Sequence, residues 1–178
     1  MAVLRIRTFG DPVLRQKAPE TGPVDELHRK LTGDMIDTMR EAPGVGLAGP
    51  QVGVLERIFV WEVEGEHGAV INPVILERSR ETVTEEEGCL SLPGLYYPVE
   101  RAARVVMEGI DETGAPVRFE AEDLLARVCQ HEIDHLDGIL FIDRLPDGLR
   151  KDALTRLRTE ALGLPAPPLD RHPAEDML

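Results

Sequence analysis

The sequence predicts a single α+β domain with mainly antiparallel sheet. Three observations lead there. Runs rich in Val, Ile, Phe and Trp alternate with turn signals between residues 57 and 120. Three segments carry helical periodicity, at about residues 25–42, 121–136 and 149–162. The order of these segments lacks the regular strand-helix-strand alternation that a parallel sheet requires. The length of 178 residues favours one domain, and a hydrophobic fraction of 42% suffices for an ordinary core.

Asp25 to Ala42 reads as an amphipathic helix because Leu27, Leu31, Met35 and Met39 recur at every fourth residue. Pro43-Gly44 stops it, since the residue before a proline is pushed out of the helical region. A glycine-rich loop follows from Gly44 to Gly53. Arg57–Val63 and Ala69–Leu76 read as strands, the second broken by Pro73, and Glu81–Thr84 as a short one. In Glu87-Gly88-Cys89-Leu90-Ser91-Leu92-Pro93, the flanking Gly and Pro suggest a shaped backbone rather than a regular strand. Arg104–Ile110 and Pro116–Glu120 flank the turn Asp111-Glu112-Thr113-Gly114, a hairpin. The second helix is expected from about Ala121 to Leu136. Glu122 and Asp123 lie at its dipole-positive end, and Gly138 just past its other end. The third runs from Leu149 to Leu162.

A net charge of -13 argues against DNA and anionic membranes as whole-surface partners, because both call for clustered Lys and Arg. No apolar run approaches the ~20 residues that span a bilayer. The segment Met1–Arg7 lacks the apolar stretch of a secretory signal, so a cytoplasmic location is expected. In that compartment the two cysteines, Cys89 and Cys129, are read as buried or metal-bound rather than paired.

The second helix carries His131-Glu132-Ile133-Asp134-His135. Two histidines four residues apart stand one turn apart on the same face, so both imidazoles can reach one ion. Glu132, next to the first ligand, can reach a water held there. Leu124, Val128, His131 and His135 step by 4, 3 and 4, which places the histidines on the inward stripe. Inward histidines are costly to bury without a partner, and a metal is one. The bland alternative is a pair of core histidines bonded to carbonyls.

The third ligand must come from elsewhere. The longer protease pattern H-E-x-x-H-x-x-G-x-x-H is matched through Gly138 and then fails at Phe141. Another protease class uses a downstream Glu, and Glu160, on a face that looks solvated, is the only candidate. Cys129 lies two residues before His131, hence on the opposite side of the helix, and reads as a small buried hydrophobe. Cys89 remains. A Cys-His-His set of three protein ligands leaves a position open, the arrangement of a catalytic rather than a structural site. The loop Gly44-Val45-Gly46-Leu47-Ala48-Gly49 matches G-x-G-x-x-G, but a helix precedes it and Pro50 follows, so the dinucleotide reading is rejected. Its glycines are expected to let backbone pass close to a substrate, with Gln51 as a polar group at the loop's end. A tight turn with a surface Gln is the alternative.

Three segments in this order, Gly44–Gln51, Glu87–Pro93 and Gln130–Leu136, resemble peptide deformylase, as does Phe9-Gly10-Asp11-Pro12-Val13-Leu14-Arg15. The resemblance spans about Val3 to Leu162. It implies a catalytic domain over residues 1–162, with mainly antiparallel sheets around a central metal-binding helix. Residues 163–178 are left as a Pro-rich, flexible tail. It implies Cys89, His131 and His135 as metal ligands, Glu132 as catalytic acid/base, and Gln51 with the Leu90 backbone N–H as oxyanion donors. On the substrate side it implies Val45, Gly46, Glu87, Leu124 and Val128, with Glu87 paired to Arg101. It implies one divalent ion per chain, Fe2+ physiologically, with Zn2+, Ni2+ or Co2+ as alternatives in purified protein. Ligand type alone would read as zinc. The family usually carries Ala where Gly49 stands, a change expected to loosen the loop without removing a chemical group.

The implied activity is a metal-dependent amide hydrolase that removes the N-formyl group from the formyl-methionine of new polypeptides and releases formate. The implied partners are nascent formyl-methionyl chains. Arg150, Lys151, Arg156 and Arg158 on the third helix suggest docking to the ribosome, with a solvated face as the alternative. Two rivals stand beside this reading: a zinc endopeptidase, and a non-catalytic metal-stabilised module.

Overall fold

The computed structural model describes residues 2–164. Its elements are α1 (Glu26–Glu41), β1 (Gly46–Ala48), β2 (Ile58–Val63), β3 (Glu66–Arg78), β4 (Thr82–Cys89), β5 (Leu92–Ala102), β6 (Arg104–Ile110), β7 (Pro116–Glu122), α2 (Asp123–Leu136) and α3 (Asp147–Ala161). Five strands form one antiparallel sheet in the order β1-β2-β3-β6-β7. The chain leaves that sheet after β3, makes the separate antiparallel hairpin β4-β5, and returns at β6. The expected tail from Gly163 falls almost wholly outside the described residues.

The first helix follows its caps. The Asp25 carboxylate accepts from the N–H groups of Leu27 and His28, and His28 Nδ1 accepts from the Asp25 N–H. Met35 and Met39 pack into a cluster with Leu47, Ile58, Val60 and Ile71. Leu27, expected on the same stripe, is 75% exposed, because α1 meets the sheet only from its second turn onward. The β6–β7 turn is tied by Asp111 Oδ1, which accepts from the N–H groups of Thr113 and Ala115, and Gly114 takes a positive φ of 89°.

Two strand expectations need correction. Pro73 does not break its strand. β3 runs through it by a bulge at Asn72, which has φ 49° and whose side-chain amide holds the Thr21 backbone at 2.8 and 2.9 Å. Glu87–Pro93 is not merely shaped backbone either, because β4 runs on to Cys89, with a register shift between Glu87 and Cys89, and β5 starts at Leu92. From Leu95 to Arg101 inward and outward residues alternate strictly, forming β5. Pro93, Gly94 and Pro98 obscure that period in the sequence. Pro98 is tolerated because one side of a two-stranded ribbon has no ladder to lose.

Helix α2 lies under the large sheet, where Ala126, Cys129, Ile133 and Leu136 pack on Phe59, Val70, Val105 and Met107. It begins at Asp123, because Ala121 is still paired with Val105 in β7. Every residue from Ala126 to Leu136 is buried. A helix buried all round is normally apolar all round. This one holds Arg127, Gln130, His131, Glu132, Asp134 and His135, so each must find a partner or cost free energy. Gln130 finds Ala102 at the end of β5, accepting its N–H at 3.1 Å and donating to its carbonyl at 3.0 Å.

Gly49 is fully enclosed rather than loose. A Cβ there would stand 2.8 Å from the Val54 carbonyl oxygen and 2.9 Å from that of Glu56. Backbone cannot move aside as a flexible side chain would. Gly49→Ala is therefore expected to destabilise by about 1–3 kcal/mol, the usual range for overpacking. An unchanged melting temperature would contradict the tight fit.

The basic face of α3 is thinner than its sequence suggests. Arg150 pairs with Asp143 at 3.3 Å and Arg156 with Asp152 at 2.9 Å. Lys151 and Arg158 remain exposed.

Candidate metal centre

The three motif segments converge, although they are far apart in the chain. Cys89 ends β4, and His131 and His135 sit one turn apart on α2. Cys89 Sγ lies 3.3 Å from His135 Nε2, and that nitrogen lies 3.2 Å from His131 Nε2. All three ligand atoms fall within 4.8 Å of one another. An ion bonded at about 2.0–2.3 Å in tetrahedral geometry spaces its ligands by roughly 3.3–3.7 Å. The cluster therefore fits a single small divalent ion. Phe141, which stands where the longer protease pattern has its third histidine, is buried and stacks on His131 at 6.1 Å between centroids. Glu160 lies exposed on α3.

Glu132 is 3% exposed, and its Oε2 has no hydrogen-bond partner among the described residues. Burial lifts its carboxyl to about 7, against an opposing pull from His131. The chain tolerates this because Gly46 makes room. A Cβ at Gly46 would stand 2.4 Å from Glu132 Oε1 and 2.9 Å from Val128 Cγ1. Gly44 does the same for Leu90, whose Cδ1 would lie 2.7 Å from a Cβ. The glycine loop thus receives the site's own side chains, which sharpens the expectation that it simply approaches a substrate.

Gln51 is 1% exposed, so the surface-Gln alternative falls. Its Oε1 accepts the Ala48 N–H at 2.8 Å, which fixes the amide's orientation. Its Nε2 then points at Ser91 Oγ, 3.2 Å away, and Cys89 Sγ, 3.6 Å away. Ser91, buried and not singled out in the sequence, also donates its N–H to Cys89 Sγ at 3.4 Å.

Glu87 lines the cleft, but its carboxylate faces the protein. Oε2 accepts from His131 Nδ1 at 2.9 Å and from Arg101 Nη2 at 3.0 Å. Oε1 accepts from Arg101 Nε at 2.8 Å and Arg127 Nη1 at 2.7 Å. Burial alone would raise this carboxyl. The bonds from Arg101 and His131 outweigh it and hold Glu87 well below the usual carboxylate range. A carboxylate on Nδ1 fixes the His131 tautomer and leaves Nε2 free to ligate. Arg101 also reaches Asp134 Oδ2 at 2.7 Å. Arg127 and Asp134 are missing from the sequence reading. Arg127, His131 and Asp134 step by 4 and 3 on α2, so buried charge on the ligand face was the available signal.

Beside the cluster opens a cleft of about 370 Å³, lined among others by Val45, Leu90, Tyr96, Leu124 and Val128. Val128 is buried, whereas Val45 and Leu124 are each 44% exposed at the rim. Leu124 is therefore not part of the inward stripe expected for it. β1 forms an edge of the large sheet, which leaves one side of its backbone unpaired within that sheet.

The Polypeptide deformylase family model matches residues 3–151. The chain belongs to that family. It is 54% identical over 158 residues to the peptide deformylase of Acidothermus cellulolyticus, covering 89% of this chain and 87% of the relative. The crystal structure of peptide deformylase from Thermus thermophilus matches with a TM-score of 0.85 and 48% identity, covering 90% of this chain and 96% of that one. The peptide deformylase from Ehrlichia chaffeensis in complex with actinonin matches with a TM-score of 0.85 and 38% identity, covering 90% and 98%. The deformylase fold agrees with the α+β class read from the sequence, and the family is metal-dependent. Among the described residues no helix is long and apolar enough to cross a membrane.

Proposed function

We propose that this chain hydrolyses the N-terminal formyl amide of new formyl-methionyl polypeptides, releasing formate. The observation that carries the reading is the meeting of three elements at one cleft: the Cys89–His131–His135 cluster, the oriented Gln51 amide, and the enclosed Glu132 carboxylate. Cys89, His131 and His135 would hold one divalent ion, Fe2+ on the family resemblance. When bound, that ion lowers the pKa of water and polarises a carbonyl oxygen.

Glu132 takes the proton of the attacking water. As the water oxygen bonds to the formyl carbon, charge grows on the carbonyl oxygen, where Gln51 Nε2 and the Leu90 N–H donate to it. The C–N bond then breaks, and Glu132 returns its proton to the leaving amine. Burial suits Glu132 to this exchange, because its carboxyl sits near neutrality. Val45, Leu124 and Val128 offer an apolar wall for the methionine side chain, and Gly46 on the edge strand β1 offers backbone groups to an extended peptide.

The reading is tested by purifying the protein without oxygen, measuring bound iron and zinc, and assaying formate from a formyl-Met peptide. A fully iron-loaded protein that releases no formate overturns it. Gln51→Ala should lower kcat by about 10²–10³, or ~2.7–4 kcal/mol, the scale of a lost oxyanion donor, with little change in KM. An unchanged kcat removes Gln51 from the role.

Docking to the ribosome, if it uses α3, rests on Lys151 and Arg158, since Arg150 and Arg156 are engaged with acids. Reversing the charge of Lys151 and Arg158 should weaken ribosome binding and leave turnover of short peptides intact. Unchanged ribosome binding refutes this surface. A cytoplasmic location accords with that substrate.

A further inference from the structure

The proposed metal ligands come from two bodies of the fold, Cys89 from the β4–β5 hairpin and the two histidines from α2. The hairpin strands pair only with each other, so no backbone ladder joins them to the large sheet over α2. Beside the Gln130–Ala102 bonds and the apolar packing of β5, buried guanidinium groups span the gap. Arg127 reaches from α2 into the hairpin. It donates to the carbonyl of Val83 on β4 at 3.0 Å, to that of Val99 on β5 at 2.9 Å, and to Glu87 at 2.7 Å. Arg101 reaches the opposite way, from β5 to Glu87 and to Asp134 on α2. Arg144 grips Asp134 from outside with bonds of 2.6 and 3.1 Å. The side chains of Arg101, Arg127, Glu87 and Asp134 are all less than a tenth exposed, so solvent screens these bonds little.

We propose that Arg127 is a positioning residue for the metal centre. By tying α2 to both strands of the hairpin and holding Glu87 against His131, it sets where Cys89 and His131 stand relative to one another. The proposal rests on the reading of Cys89, His131 and His135 as the ligands. A planar guanidinium is needed because its donors are spent in several directions at once, on two strands and a carboxylate. Lysine offers a compact charge on a flexible stem and cannot reproduce that fork. Methionine fills similar space and makes none of the bonds. The plain alternative is that Arg127 only satisfies buried carbonyls, which would affect stability and nothing else.

The test compares wild type, Arg127→Met and Arg127→Lys, each loaded with Co2+. Affinity is read by competition with a coloured chelator, and geometry by the thiolate-to-cobalt and ligand-field absorption bands. Melting temperature and steady-state turnover of a formyl-Met peptide are measured alongside. Arg127→Met is expected to bind Co2+ about 10–100-fold more weakly, the usual cost of removing a group that supports a ligand. Its thiolate band should shift or weaken, and kcat should fall more than KM changes. Arg127→Lys should recover only part of each. Wild-type affinity and spectrum in Arg127→Met overturn the proposal, however far its melting temperature drops. If that variant does not fold, Arg127→Lys decides by the same criterion. A wild type that takes up no Co2+ would instead refute the ligand assignment.

Discussion

Glu132→Ala should abolish formate release while leaving the melting temperature unchanged or higher. The two halves have one cause. Glu132 Oε2 is buried with no hydrogen-bond partner among the described residues, and burial raises the carboxyl to about 7. A buried polar group left unpaired costs about 1–3 kcal/mol, so its removal offsets the small cavity that alanine leaves. The same isolation makes the group useful, because a carboxyl poised near neutrality can take and return a proton in one cycle. Positioned acid-base groups contribute about 10²–10⁴ in rate, and turnover should fall by at least that factor. Metal content should stay at one ion per chain, since Glu132 is not a ligand in this arrangement. Glu132→Gln controls for the cavity and should be equally inactive. Near-normal turnover in either variant would sink the assignment. A collapse of the fold would show that the carboxyl is required for stability and not merely tolerated.

Cys89→Ala is expected to lose both the ion and all activity. Without Sγ, the two imidazoles of α2 are the only side chains left in the cluster. Two ligands on one helical turn hold an exchangeable ion poorly, so mild chelation should strip the variant while wild type keeps its metal. The sulfur also receives the Gln51 Nε2 and Ser91 N–H groups at 3.6 and 3.4 Å, so the proposed oxyanion donor Gln51 loses one of its contacts as well. The fold should survive, because Cys89 is only half-buried at the end of β4. Metal content after dialysis, formate release and the melting temperature of the metal-free proteins check this. Stoichiometric metal in the variant would remove Cys89 from the ligand set.

The local chemistry of this site was legible before its geometry. His131, Glu132 and His135 stand out by helical spacing within a few residues and Cys89 by elimination across the chain, and the structure brings Cys89, His131 and His135 together. The helix boundaries followed from Asp25 and Pro43, likewise local signals. β5 was not legible, since its alternation is interrupted by two prolines and a glycine whose tolerance depends on a free ribbon edge. Arg127 and Ser91 were hidden for a different reason. Their roles exist only once the hairpin meets α2, and for Arg127 the local signal was limited to its place on the histidine face of the helix. Gly49 shows the converse error. The residue type suggests freedom at position 49, whereas the Val54 and Glu56 carbonyls leave no room for anything larger.

The division of ligands between a separately paired hairpin and the buried helix also governs how this protein opens. β4–β5 shares no ladder with the large sheet and is docked instead by the Phe9–Ser91 backbone bond, by Leu92, Leu95, Tyr97 and Val99 packed on Phe141 and Leu157, and by the buried arginines, so it can open as a unit. An ion bridging Cys89 to the histidines binds only while the hairpin is docked, so its binding free energy adds to the cost of that opening. Local breathing and catalytic competence are then one equilibrium. Amides in the hairpin would exchange with solvent at a rate set by metal concentration, while those of the large sheet report global unfolding alone.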